Sequence, residues 1–290
     1  MADPLPICYL NGEYAPLREA RLSPLDRGFL FADSVYEVLP VFKGRMFRFR
    51  EHFDRLARSL NEIRMTSPHT HEQWLAILEE LIRRNGGADM YVYVQVTRGI
   101  EFGRNHAFPA CTSPTIFAMA SPLPTLTPEQ RTGGLIAITV EDFRWGRCDI
   151  KTTALLANVL MKQQAAEAGA NEAIIVRDGE VLEGASSSVF IVIDGCIVTP
   201  PNTRRILQGT TRDAVIEIAA DAERVEIRSV SVEEMMSATE VWISAATRDV
   251  LPITRIDGRP VGEGRPGPVW RGMSAAFESL RVRLADKRAM

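Results

Sequence analysis

Lysine is scarce in this chain, so a reaction that needs a primary amine has few candidates. The 290 residues include 34 Lys and Arg side chains, of which the lysines are Lys43, Lys151, Lys162 and Lys287. We expect Lys43 in a Lys-Gly turn, Lys162 in mid-helix and Lys287 in the polar C-terminal end to be solvated. Lys151 lies instead between a predicted strand and a predicted helix, a kind of position that often carries function. It is the candidate amine.

A candidate acid lies in a small, hydroxyl-rich segment. Glu183 ends a short apolar strand and is followed by Gly184 and then by the serines at 186–188. A carboxylate in such surroundings can be buried and hydrogen-bonded, as an ion pair with a buried cation requires. On this segment alone, a turn-flanking acid beside a serine-rich loop is an equally good reading.

Two further segments have the composition of anion sites. Gly209-Thr-Thr211 opens a predicted helix, where a glycine lets the backbone approach an anion and the helix dipole favours negative charge. A plain threonine N-cap explains the same residues. Arg104 and His106 fall in the loop 99–109, and an arginine fork with an imidazole suits a carboxylate, although a solvated loop pair is the alternative.

Together these four features fit one cofactor, pyridoxal 5'-phosphate. That cofactor needs a lysine for a Schiff base, an acid at the pyridine nitrogen, a phosphate site and a cation for the substrate. Lys151, Glu183, Gly209-Thr-Thr211 and Arg104 with His106 are the respective candidates.

The elements that must position these residues are mostly hairpins. Apolar runs flank turns at Asn11-Gly12, Lys43-Gly44, Asp178-Gly179 and Asp194-Gly195. Helical spacing is predicted over 53–63, 74–82, 152–168 and 211–222 and from residue 269, with further strands at 90–97, 115–120, 135–140, 225–228 and 241–244. Because hairpins outnumber βαβ units, we expect mixed or antiparallel sheets.

The positions of the prolines and the overall composition indicate where the domains divide and to which class of protein the chain belongs. Three prolines between Ser121 and Pro128 predict a linker over 121–130, between a domain at 1–120 and a larger one at 131–290. A net charge of −3 without a basic face argues against nucleic-acid binding, and no apolar run approaches membrane length. The start of the chain lacks signal-peptide features, which predicts a cytoplasmic protein. The cysteines, at 8, 111, 148 and 196, have no paired spacing, so neither disulfides nor a metal site is expected.

The motifs together resemble the class IV aminotransferases, the fold type IV pyridoxal phosphate enzymes, and within them the bacterial D-amino acid transaminases. The resemblance runs through nearly the whole chain and is strongest at 31–38, 51–56, 95–99, 140–145, 148–151, 183–190 and 209–213. It implies two α/β (α+β) domains with mixed sheets and the cofactor between them. By the same resemblance Lys151 is the Schiff-base lysine and proton shuttle, and Glu183 pairs with the pyridine nitrogen. The other residues that it assigns to the cofactor are Arg55, Leu207, Gly209, Thr210, Thr211, Ser187, Ser188 and Ala246.

The resemblance also implies a substrate and an assembly. Tyr36 would line the substrate pocket, and Arg104 with His106 would hold the α-carboxylate of a D-amino acid in the site of a neighbouring subunit. A homodimer with shared sites and a ping-pong exchange between D-amino acids and 2-oxo acids follow. A branched-chain L-amino acid transaminase, an (R)-amine transaminase and an aminodeoxychorismate lyase are alternatives within the family.

Three positions depart from the family pattern. Where relatives usually carry a hydroxyl for the phosphate, this chain reads Ser244-Ala245-Ala246-Thr247. Ser188 replaces the usual asparagine, and the loop before Arg104 is one residue longer. The two alanines motivate a further alternative, a non-catalytic ligand-binding protein on the same fold.

Overall fold

A computed structural model describes residues 3–111, 113–125, 127, 130, 133–220 and 225–286. Backbone contacts divide the chain into two units. Unit 1 comprises Met1–Pro124, Ile150–Ala154 and Leu284–Met290, and unit 2 comprises Thr125–Asp149 and Leu155–Arg283. The sequence-based boundaries at 120 and 131 stay a prediction, and part of the expected linker, like Lys287, lies outside the described residues. The contacts assign Lys151 to unit 1, whereas the sequence-based boundaries put it in the second domain.

Unit 1 is built on an antiparallel sheet of six strands. Its strands are β1 Ile7–Leu10, β2 Glu13–Pro16, β3 Ser34–Phe42, β4 Arg45–Met46, β5 Met90–Thr97 and β6 Thr115–Pro122, in the order β2-β1-β6-β5-β3-β4. Strand β3 alternates between two faces, so Tyr36 and Glu37 point to opposite sides of the sheet. The face of β3 that carries Tyr36 is therefore partly exposed, and the face that carries Glu37 is buried.

The buried side of this sheet is covered by amphipathic helices. Helix α2 spans Phe49–Glu62 and α3 spans His71–Arg84, while the short α1 is Arg27–Phe31. The apolar positions of α2 and α3, including Phe53, Leu56, Leu60, Trp74 and Leu78, pack in one core with residues of β3, β5 and β6. Thr70 caps α3 in a capping box with Gln73.

Unit 2 is built on a mixed sheet of ten strands. They are β7 Leu135–Glu141, β8 Glu172–Arg177, β9 Glu180–Gly184, β10 Ser188–Ile193, β11 Cys196–Thr199, β12 Val225–Ile227, β13 Val230–Ser231, β14 Glu240–Ala245, β15 Asp249–Ile256 and β16 Arg259–Pro260. The order is β12-β11-β10-β14-β15-β7-β8-β9-β13, with β16 beside β15. The parallel pairs are β7 with β8, β7 with β15 and β11 with β12.

Four helices accompany this sheet: α4 Leu156–Glu167, α5 Thr210–Ala220, α6 Val232–Ser237 and α7 Pro268–Asp286. One face of α4 buries Met161 and Ala165 against β8. In the described part of the chain, no helix has the length and apolar character of a membrane span.

The predicted hairpins and mixed or antiparallel sheets are confirmed. All four predicted turns have positive φ at both central residues, as at Asn11 (49°) and Gly12 (101°), the geometry that two-residue hairpins favour. Five elements were not predicted from the sequence: α1, α6, β13, β15 and β16.

Two predictions near the lysines are wrong. The helix expected from Thr152 begins only at Leu156, because Thr152 and Thr153 bond to the edge of β3 and stay extended. Lys162 is not fully solvated, because its side chain is only 34% exposed and pairs with Glu172.

Candidate active site

Lys151 lies in a short extended segment beside the edge of β3. The Tyr36 amide donates to the Lys151 carbonyl at 3.0 Å, and Val35 and Thr152 form an antiparallel bridge. The half-buried Lys151 side chain places Nζ 4.4 Å from the centre of the Tyr36 ring. Within the described ranges, Lys151 has no carboxylate at ion-pair distance. The amine therefore lies against an aromatic face instead of a counter-ion.

Tyr36 belongs to a polar and aromatic face of the unit 1 sheet. Its ring stacks on Tyr93 at 5.5 Å, and the Tyr93 hydroxyl donates to Gln95, whose amide donates to Ser34. Burial raises the pKa of the Tyr93 phenol well above its ordinary value of 10.0. The face thus keeps neutral hydroxyl and amide groups around Tyr36 at neutral pH.

The opposite face of β3 carries a buried ion-pair cluster. Arg55 of α2 forks onto Glu37 with Nε at 2.7 Å and Nη2 at 2.8 Å, and His52 Nδ1 lies 2.8 Å from Glu37. Burial raises the pKa of Glu37, but the charges and hydrogen bonds of Arg55 and His52 outweigh it and hold that pKa far below 4.5. Burial lowers the pKa of His52. Arg55, assigned to the phosphate by the resemblance, is thus positioned in unit 1 by Glu37.

Glu183 lies in β9 of unit 2 and is 7% exposed. Arg144 Nη1 approaches Glu183 Oε1 at 2.5 Å, and the Leu207 amide donates to Glu183 Oε2 at 3.1 Å. Asp142 holds the other side of the Arg144 guanidinium at 3.0 Å. Burial lowers the pKa of Arg144, yet its bonds to Asp142 and Glu183 raise it overall. The arginine was not predicted, because only the fold brings it to the acid.

The start of α5 brings together several of the residues assigned to a phosphate. A Cβ on Gly209 would lie 2.7 Å from Ser188 Oγ, so only glycine allows this close approach. Thr210 and Thr211 are each 5% exposed. Ser188 is paired in register with Ser244, whose buried hydroxyl has no hydrogen-bond partner among the described residues. A helix N-terminus next to an unsatisfied buried hydroxyl fits a phosphate group.

The serine loop after Glu183 serves a different carboxylate. The hydroxyls of Ser186 and Ser187 donate to the fully buried Glu172 at 3.4 and 3.2 Å. Arg248, just beyond Ala246, reaches the same carboxylate at 3.4 Å. The sequence analysis missed Glu172, although an acid at the head of the apolar strand β8 was a signal that it would be buried and paired. Ala246 itself lies half-buried in the turn after β14.

Arg104 and His106 lie together in an exposed loop of unit 1. The Arg104 guanidinium is 5.1 Å and the His106 ring 5.3 Å from the centre of the Phe31 ring. Each unit therefore collects part of the predicted set. Unit 1 holds Lys151, Tyr36, Arg55, Arg104 and His106, and unit 2 holds Glu183, Ser187, Ser188, Leu207, Gly209, Thr210, Thr211 and Ala246.

Known proteins resemble the chain over nearly its whole length. The family model for amino-transferase class IV matches residues 34–256. D-alanine aminotransferases of Staphylococcus haemolyticus and Bacillus licheniformis are 39% and 38% identical over 271 and 270 residues, which cover 93% of this chain and 95% of each relative.

Solved structures agree with this assignment. A branched-chain amino acid aminotransferase of T.th., crystallised with pyridoxamine 5'-phosphate, superposes with a TM-score of 0.88 at 26% identity, covering 98% of this chain and 95% of that one. That of Escherichia coli gives 0.88 at 27% identity, covering 97% and 95%. The predicted family resemblance and the fold class, a fold type IV aminotransferase with mixed sheets, are confirmed.

Proposed function

The chain belongs to the class IV amino-transferase family, and we propose that it exchanges amino groups between a D-amino acid, such as D-alanine or D-glutamate, and a 2-oxo acid. The observation that carries the reaction type is the environment of Lys151, whose amine lies over Tyr36 without a carboxylate partner among the described residues. Such an amine is not held in an ion pair and is available as a nucleophile.

The residues of each unit fit the family's cofactor, pyridoxal 5'-phosphate. When bound, it supplies an electron-withdrawing pyridinium ring that stabilises negative charge at the substrate Cα. Lys151 would hold its aldehyde carbon, and Glu183 its ring nitrogen. The start of α5 at Gly209-Thr-Thr211, with Ser188, would bind the phosphate, and Arg55 would add positive charge. Leu207 would pack on the ring.

The proton transfer falls to one side chain. In our proposal Lys151 Nζ would accept the proton from the substrate Cα and would later donate it to the bound cofactor. Glu183, fixed by Arg144 and the Leu207 amide, would face the ring nitrogen and favour its protonated form. Tyr36 lines the space in front of the amine and orients it.

The D-amino acid assignment is supported by the relatives and by one loop. The two relatives described above carry the name D-alanine aminotransferase. Arg104 and His106 lie side by side over Phe31 and present a guanidinium and an imidazole to solvent, the groups that bind a carboxylate. In the proposed homodimer this pair serves the site of the partner. A cytoplasmic location stays a prediction from the sequence.

A second candidate is the branched-chain L-amino acid reaction, because the superposed T.th. and Escherichia coli structures carry that name. The test is a set of half-reactions with purified holoenzyme, followed by the absorbance of the bound cofactor. We expect D-alanine to convert the cofactor and L-leucine and (R)-1-phenylethylamine to leave it unchanged. Conversion by L-leucine alone would overturn the D-amino acid assignment, and a protein that binds the cofactor but converts it with none of the three would favour the non-catalytic alternative.

A further inference from the structure

Arg27 is a buried arginine that reaches across the sequence to the Arg104 loop. Its side chain is 3% exposed, and its guanidinium donates to the backbone carbonyls of Asn105, His106 and Ala107 at 2.7, 3.3 and 3.3 Å. These carbonyls follow Arg104 directly and include that of His106. One side chain therefore fixes the backbone from which both proposed carboxylate ligands project.

The guanidinium is itself held by two acids. Nε donates to Asp33 at 2.9 Å, and Nη1 lies 2.6 Å from Glu101 in the same loop. Burial of Arg27 disfavours its charge, but these two bonds outweigh that cost and raise its pKa. A planar, permanently charged fork can serve two acids and three carbonyls at once, which a lysine ammonium cannot.

Hydrogen bonds also hold the backbone around Arg27 in place. The Arg27 amide donates to the Gly99 carbonyl at 2.9 Å, and Asp26 caps α1 by accepting from the Gly28 amide at 2.8 Å. A Cβ on Gly28 would meet Thr97 Cγ2 at 2.5 Å, so α1 packs directly on β5. Arg27 thus joins a rigid strand to a loop whose own side chains are exposed.

Phe31 completes the arrangement. The Arg27 guanidinium lies 4.9 Å from the centre of this ring, and Arg104 and His106 lie 5.1 and 5.3 Å from it. The aromatic ring therefore orients both exposed side chains while Arg27 orients their backbone. Cation–π contacts favour a guanidinium over the ring face and limit its rotation.

We propose that Arg27 is a positioning residue for substrate-carboxylate recognition: it contacts no substrate but sets the direction of Arg104 and His106 through their backbone carbonyls. This inference rests on the proposed function, because it takes Arg104 and His106 as the carboxylate ligands. It does not depend on which subunit's site the loop serves.

The test is Arg27→Lys holoenzyme assayed with D-alanine. Since misplacement of a binding group by about 1 Å can cost up to 10²-fold, we expect KM to rise by about 10- to 100-fold. The turnover number should change by less than about threefold, because Lys151 is untouched. Amide hydrogen exchange of residues 101–108 should accelerate, a readout that needs neither substrate nor cofactor.

Arg98→Lys is the matched control. Arg98 is buried and pairs with the same Asp33 at 2.7 Å, but it donates to the Ile63 carbonyl and not to the carbonyls of residues 105–107. It touches the loop at Phe108, whose ring centre lies 3.7 Å from its guanidinium carbon. We expect a smaller KM increase than for Arg27→Lys. Equal increases in KM would mean that the Asp33 cluster acts only through general stability, and the inference would fall.

Two further variants separate the possible failures. Arg104→Gln should raise KM on its own, and if it does not, the carboxylate assignment in the proposed function is wrong whatever Arg27 does. If Arg104→Gln raises KM and Arg27→Lys leaves both KM and loop exchange unchanged, this inference alone is wrong. Should Arg27→Lys fail to fold, Glu101→Gln, which removes one anchor of the guanidinium, must raise KM and loop exchange in the same direction, or the inference is overturned.

Discussion

Two half-buried lysines in this protein have opposite surroundings. Lys162 of α4 donates to the Asn171 carbonyl at 2.5 Å and to the buried Glu172 at 2.9 Å. Lys151 places Nζ over the Tyr36 ring, and the described parts of the chain offer it no carboxylate partner. Glu37, the acid next to Tyr36 in β3, is paired with Arg55 and His52 on the other face of the strand.

These different surroundings indicate a structural role for Lys162 and a chemical role for Lys151. A hydrogen bond to a charged group contributes about 1.5–3 kcal/mol, so Glu172 and the Asn171 carbonyl hold Lys162 in place. A cation–π contact contributes only about 0.5–1 kcal/mol at an exposed site. The Lys151 amine can therefore leave its present contact for a new covalent partner at a lower cost than the Lys162 amine can leave Glu172.

The largest expected effect comes from removing each lysine amine in turn, which tests whether the two lysines have different roles. Lys151→Ala should lower turnover with D-alanine by at least about 10²- to 10⁴-fold, the range for a positioned proton-transfer group, and borohydride should no longer fix the cofactor to the protein. Lys162→Met should keep turnover within about threefold of the parent protein. Steady-state rates and the mass of the borohydride-treated protein measure both effects. Comparable losses of turnover in the two variants would show that the contrast in counter-ions has no chemical meaning.

The acid that faces the cofactor in our proposal gives the next largest effect. Glu183→Gln keeps the size of the side chain but removes its charge, and a buried ionic hydrogen bond is replaced by a neutral one. We expect turnover to fall by about 10- to 100-fold, equivalent to roughly 1.4–2.7 kcal/mol. Full turnover in this variant would remove Glu183 from the mechanism, and the absorbance of the bound cofactor would show whether it still binds.

Lys162 should matter for stability instead. Lys162→Met leaves the fully buried Glu172 with Ser186, Ser187 and Arg248 as partners, so we expect the free energy of unfolding to fall by about 1–3 kcal/mol, less than for a pair buried on both sides. Urea denaturation of the apoprotein measures this loss. The double variant Lys162→Met with Glu172→Gln should recover part of the loss, because the buried charge that lost its lysine partner is gone. A double variant less stable than the single one would contradict this account.

The sequence predicted those parts of the fold and site that depend on neighbouring residues. Asn11-Gly12 and Asp178-Gly179 form the hairpins expected, because positive φ at both turn residues is a local property. The scarcity of lysine and the position between a strand and a helix pointed to Lys151. The helix-start pattern pointed to Gly209, whose close approach to Ser188 the structure shows. Family and fold class followed from motifs distributed along the whole chain.

The features that were not predicted depend on contacts between residues far apart in the sequence. The helix predicted from Thr152 starts later because the edge of β3, more than a hundred residues earlier, captures Thr152 and Thr153 in hydrogen bonds. Arg27 meets its loop carbonyls at separations of 78 to 80 residues, so no local pattern marks it. Glu172 likewise has partners that only the sheet brings to it.

A smaller effect is expected from the contact between Lys151 and the Tyr36 ring. Tyr36→Phe keeps the ring under Lys151 Nζ and should leave turnover within about threefold of the parent, whereas Tyr36→Leu removes the ring. We expect the leucine variant to lose roughly 2- to 30-fold in turnover, the equivalent of about 0.5–2 kcal/mol for a cation–π contact. Rates with D-alanine at saturating substrate measure it. A phenylalanine variant as slow as the leucine variant would assign the effect to the hydroxyl.

The smallest effect concerns the buried pairing of Glu37 with Arg55 and His52. The pKa of Glu37 lies below its ordinary value of 4.5, because Arg55 and His52 favour the carboxylate, so the unfolded chain takes up a proton on acidification before the folded one does. The stabilisation is therefore complete above pH 4.5 and is lost as the pH falls. Between pH 5 and pH 4 it should decrease by less than about 1 kcal/mol.

Urea denaturation at both pH values, compared between the parent and Glu37→Gln, isolates this contribution, because only the change with pH is compared and not the baseline stability. The variant should have the shallower decline, since a glutamine amide at this position does not titrate. An equal decline in both proteins would mean that folding does not lower the pKa of Glu37. The ion pair with Arg55 would then not favour the carboxylate form of Glu37.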